Sequence, residues 1–189
     1  MHHLQGEAEV LRTHSTASVY DVKHQELQAT LSEFAADGVA LLQRHEAGAR
    51  AVSHYDFNNT YQYVIAREET QLGWLRSALG ELGQALPGAA ASLPMPEARA
   101  RAKSTDTAAY VRILEDDARQ LERFVEKWRD RVQSITHARH RQMLNVILGE
   151  SIEHQRLFEQ AAAGFEDVLG RRTGGVPRVG GVLPTRWVE

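Results

Sequence analysis

The chain contains no cysteine. That excludes disulfides, thiolate zinc sites, iron–sulfur clusters and rubredoxin-type modules within it. Long apolar runs are also missing: nothing approaches the ~18–20 residues needed to span a bilayer, and the first residues lack a signal-peptide core. The expectation is a cytoplasmic protein without a membrane partner. Basic excess is absent too. Lysine and arginine number 22 against 25 acids, for a net charge of −3, so nucleic acid is not an expected partner. Strand-like alternation appears nowhere. An ordinary 42% hydrophobic and 25% charged composition over 189 residues allows one compact domain with a short appendage.

Helical periodicity is what the chain does contain. Residues 1–19 show no sustained period and are read as an N-terminal arm, or a short helix at 7–12. From about Tyr20 to Arg50, Leu27, Leu31, Phe34, Leu41 and Leu42 recur at helical spacing. Asp56 is the expected N-cap of a second helix, 57–82, whose stripe is Phe57, Tyr61, Val64, Ile65, Glu68, Leu72, Leu75 and Leu79. Gly83, Pro87, Pro94 and Pro96 break the helix, giving a connection of about 20 residues where 2–8 is usual between antiparallel neighbours. It is long enough to run the length of a bundle. One of Ser104, Thr105 or Asp106 caps a third helix reaching Gln133, and a fourth runs over 137–169. Glycine pairs at 174–175 and 180–181 then mark an irregular tail, 170–189, ending Arg186-Trp187-Val188-Glu189. Four amphipathic helices joined by short, long and short connections predict an all-α antiparallel four-helix bundle, residues 20–169, built from two hairpins.

Acids interrupt the apolar stripes. On the fourth helix Met143, Val146, Ile147, Glu150, His154, Leu157 and Ala161 share a face, with a carboxylate and an imidazole one turn apart in its middle. Asp117 intrudes near the stripe of the third helix, and Glu68 sits mid-stripe on the second. A carboxylate buried without a partner costs several kcal/mol, so each requires a cation, a hydrogen-bond network or a metal. Val64-Ile65-x-x-Glu68-x-x-Gln71-x-x-x-Leu75 repeats 82 residues later as Val146-Ile147-x-x-Glu150-x-x-Glu153-x-x-x-Leu157. A pseudo-twofold bundle brings Glu68 and Glu150 face to face.

This pattern resembles the ferritin-like carboxylate-bridged di-metal proteins, rubrerythrins and bacterioferritins among them, over residues 20–169. Arg67-Glu68-Glu69-Thr70-Gln71-Leu72-Gly73-Trp74-Leu75 is similar to the bacterioferritin second-helix motif, and Glu150-x-x-x-His154 to the last helix of rubrerythrins. The resemblance implies a ferritin-like bundle binding iron or manganese, as two ions, one or none, and reacting with O2 or peroxide as a ferroxidase, peroxidase or iron-handling protein. It implies Glu68 and Glu150 as bridging carboxylates, His154 as a terminal ligand and Asp117 as the third-helix carboxylate. Glu33 and Asp37 are the first-helix candidates, and Glu153 stands where the fourth helix would carry a histidine. The departure is Gln71, which replaces the second-helix histidine. Without metal, a Glu150–His154 ion pair and a salt bridge from Asp117 to Arg67 or another arginine are the alternatives, while Glu33 and Asp37 fall on a solvated face. His45 reads as a packing or capping residue. Tyr61 and Tyr63 lie near enough to donate hydrogen bonds.

The expected function is therefore a ferritin-like metalloprotein. The alternative is a metal-free structural or interaction module of the same fold, with the C-terminal tail docking a protein partner. A small-molecule-binding bundle is a third reading. Trp74 and Ile113, off their helices' main stripes, suggest an outward patch for a homo-oligomer.

Overall fold

A computed structural model describes residues 3–95, 107–164 and 168–169, with side chains placed from residue 22 in the first stretch and from residue 108 in the second. It contains four helices and, among the described residues, no strand. They are α1 (His3–Ala51), α2 (Tyr55–Glu81), α3 (Thr107–Gln133) and α4 (Ala138–Ala162). The caps expected at 104–106 and the tail at 170–189 lie outside the described residues.

Several boundaries differ from the sequence reading. Helix α1 begins at His3 and is nearly twice the length of its neighbours. No proline interrupts residues 3–51, so the helix propagates through the segment where apolar periodicity is lost. The residue preceding α2 is His54, which makes no side-chain cap. Asp56 instead sits inside the first turn, where a carboxylate favours the unsatisfied N–H groups. Helix α4 stops at Ala162, seven residues short of expectation, because Gly164 takes a left-handed φ of 92° that ends the hydrogen-bond ladder.

The helices pack as two hairpins, α1–α2 and α3–α4. Phe34 of α1 meets Phe124 and Trp128 of α3 edge-on, with centroids 5.1 and 4.9 Å apart. Trp128 is fully buried, and its indole Nε1 donates to Asp37 at 2.7 Å. Glu33 meets Arg131 while Arg44 meets Asp117, so α1 and α3 run in opposite directions. The described part of the long connection climbs beside α1. Leu82 accepts from Gln28, Ala90 donates to the Ala36 carbonyl at 3.1 Å, and the Pro94 carbonyl reaches Arg44. Each step along this connection satisfies a polar group that a loose loop would leave to water.

Two stripe assignments are corrected. Val146 is 42% exposed, whereas Ile113, expected to face outward, is buried. Both lie near stripe edges, where the neighbouring helix decides which residue is covered. Trp74 is only partly buried and packs against the core.

Candidate functional site

Three acids lie at or beside the centre of the bundle, each meeting an arginine or a histidine of the chain. Asp117 is fully buried on α3. The Arg44 Nε of α1 donates to its Oδ1 at 2.6 Å, and the Tyr61 hydroxyl of α2 donates to its Oδ2. Arg44 also donates to Asp116 at 2.9 Å and to the Pro94 carbonyl, so its planar fork joins α1, α3 and the long connection. Burial, then the neighbouring Asp117 charge and hydrogen bond, push the Tyr61 phenol well above its ordinary pKa, so it stays a donor. Tyr61 reaches this position by passing α1 at Gly48, where an added Cβ would lie 2.6 Å from the ring.

Glu68, buried on α2, faces His45 of α1. The imidazole Nδ1 lies 2.8 and 2.9 Å from its two oxygens. Burial lowers the His45 pKa, but the charge and hydrogen bond of Glu68 outweigh that effect and leave it raised. The His45 Nε2 is buried without a partner.

Glu150 of α4 is half-buried. Arg67 of α2 holds Oε1, and the Gln71 amide donates to Oε2 at 2.6 Å. Burial pushes the carboxyl up, yet Arg67 and Gln71 hold it below its ordinary range. His154 is buried one turn further on, with Nδ1 unpartnered and its ring edge-on to Tyr63 at 6.0 Å. Burial depresses its pKa more than Glu68 raises it, which favours the neutral ring.

The remaining candidates lie apart. Glu33 is exposed, and Arg131 grips it through two bonds of 2.8 and 2.6 Å. That fork, outweighing burial, lowers its pKa to about 2. Asp37 accepts from Lys127 as well as Trp128. Glu153 is exposed beside Tyr63 and Leu157.

A carboxylate-bridged pair of ions needs oxygens from several helices to converge with imidazole nitrogen. Here both oxygens of Asp117 and both of Glu150 already accept hydrogen bonds, and those of Glu68 face His45. Among the described residues no group of three or more histidines and acids is arranged to hold a metal ion. In this arrangement the donor set does not fit a pair of ions. Glu68 and Glu150 both act electrostatically on His154, so the three share one region of the bundle without forming a ligand cluster. The sequence reading missed Arg44 and the role of His45. Arg44 follows Leu41 by three residues on the apolar face of α1, and a cation at that phase is the sequence signal for a buried acid opposite.

No protein-family model, no curated protein and no solved structure matches the chain.

Proposed function

We propose that this chain is a ferritin-like bundle that neutralises its core acids with its own cations and acts as a structural or interaction module. The observation that carries the reading is the set of three pairs, Arg44–Asp117, His45–Glu68 and Arg67–Glu150. The two arginines supply positive charge, and His45 a hydrogen bond, to carboxylates that burial leaves in need of partners. The ferritin-like assignment rests on the two hairpins, on the connection climbing along α1, and on the matching placement of Glu68 and Glu150. Gln71 supports the metal-free reading as well, since it donates to Glu150 where an imidazole would offer a lone pair to a metal.

The binding half of the proposal rests on sequence. The glycine-interrupted tail ending Arg186-Trp187-Val188-Glu189 has the composition of a docking peptide. The partner is proposed to be a protein; among the described residues no helix is long and apolar enough to cross a membrane.

Elemental analysis after expression in iron-rich medium, followed by anaerobic iron or manganese addition, tests the reading. Well under one ion per chain is expected. About two per chain, lost in Glu150→Ala, would restore the di-metal oxidase reading and overturn this one. About one would favour an ion at His154 and Glu68, beside the unpartnered nitrogens of His45 and His154. Truncation after Gly170 should abolish association with the partner while leaving helicity unchanged.

A further inference from the structure

Between the four helices lies a cavity of about 20 Å³. Gly38 of α1, Glu68 and Gln71 of α2, Phe124 of α3 and Ser151 of α4 are among the residues lining it. A cavity needs roughly 10–15 Å³ to hold one water molecule, and the water needs 2–4 polar partners. The cavity therefore takes one water-sized molecule and no organic ligand. Its polar lining selects the occupant further. Ser151 donates its proton to the Ile147 carbonyl, and Gln71 directs its amide nitrogen to Glu150. What they leave for an occupant is mostly acceptors, the hydroxyl lone pairs and the amide carbonyl, beside the second Gln71 N–H. Glu68 adds carboxylate oxygens, which together offer about four lone-pair sites and share only one imidazole donor. All three side chains are at least nine-tenths buried, so bulk water reaches them only marginally. The occupant must be a donor.

We infer that this cavity is a binding site for a single ordered water molecule, which donates to Glu68 of α2 and to Ser151 of α4 or the Gln71 carbonyl. The water ties the two hairpins together at the level of Glu68. It rests on the metal-free reading, because a metal on Glu68 would occupy the same space. A neutral donor suffices there, since His45 already faces the Glu68 charge.

A crystal structure of the full chain, with anomalous data collected at the iron and manganese edges, tests it. The expected result is one water-sized peak within hydrogen-bond distance of Glu68 and Ser151, with no anomalous signal. An empty cavity overturns this inference and leaves the metal-free reading standing. An anomalous peak overturns both. Gly38→Ala is the companion variant. Its Cβ would meet only Leu72, at an ordinary 3.4 Å, so the bundle has room for it. The methyl should displace the water, and a peak unchanged in a folded Gly38→Ala would also overturn the inference.

Discussion

Replacing Arg44 with methionine removes the cation from the most deeply buried acid in the bundle. Both side chains of the Arg44–Asp117 pair are fully enclosed. The substitution keeps much of the side-chain volume but deletes the bonds to Asp117, Asp116 and the Pro94 carbonyl. Asp117 is left with the Tyr61 hydroxyl alone. Removing one partner of a buried ion pair typically costs ~3–5 kcal/mol. An aspartate stranded in this way can take up a proton instead, which at pH 7 costs about 4 kcal/mol, so the two estimates agree. For a domain of this size the loss corresponds to a fall of ~6–20 °C in Tm. Urea denaturation at pH 7 measures it directly. The deficit should shrink towards pH 4, where protonation becomes cheaper. It should also shrink by at least ~2 kcal/mol in an Asp117→Asn background, because the charge requiring a partner is gone. A loss below about 1 kcal/mol, or one equal in both backgrounds, would refute the argument that Arg44 serves as the counter-ion of the core.

Three other outcomes follow from the same geometry. Gly48→Ala should destabilise by ~1–3 kcal/mol in thermal unfolding, since its Cβ would strike the Tyr61 ring; Gly149→Ala, which meets nothing within 4 Å, should stabilise α4 by up to ~1 kcal/mol. The histidines should shape pH dependence with opposite signs. His154, with its lowered pKa, contributes stability that is present above about 6.5 and lost as pH falls, whereas His45, with its raised pKa, contributes below about 6.5 and loses its share as pH rises through its folded pKa. Urea midpoints between pH 5 and 9 should therefore lose their acid slope in His154→Leu and their alkaline slope in His45→Gln. Glu33→Gln should cost at most ~1 kcal/mol despite the lowered pKa, because the Arg131 fork is exposed and screened. That small effect should vanish in 1 M NaCl, and it should vanish in acid as pH falls from 4.5 towards 2.

The candidate site was only half legible beforehand. Glu68, Asp117 and His154 announce themselves because a polar residue on an apolar stripe is buried whichever helix packs against it. Their partners do not. Arg44 precedes Asp117 by 73 residues and His45 precedes Glu68 by 23, and periodicity along one helix says nothing about which residue stands level with it on another. Glu33 shows the converse. It lies at the edge of its stripe, where a solvated position was already one reading, and only the structure pairs it with Arg131 of α3.

What the sequence determined by itself is local. The 3.6-residue spacing of Phe57, Tyr61, Val64, Leu72, Leu75 and Leu79 makes α2 amphipathic, and Pro87, Pro94 and Pro96 forbid a continuous helix between the hairpins. The need to compensate three core acids was equally plain, since desolvation penalises a carboxylate in any fold. Tertiary structure decided which side chains stand against them. A metal and a guanidinium both answer the same electrostatic demand, and the choice depends on which groups lie within a few ångströms once the helices have rotated and slid into register. That register brings Arg44, His45 and Arg67 against the acids, because the packing of Phe34 on Trp128 and the passage of Tyr61 over Gly48 set the height of α1 against its neighbours.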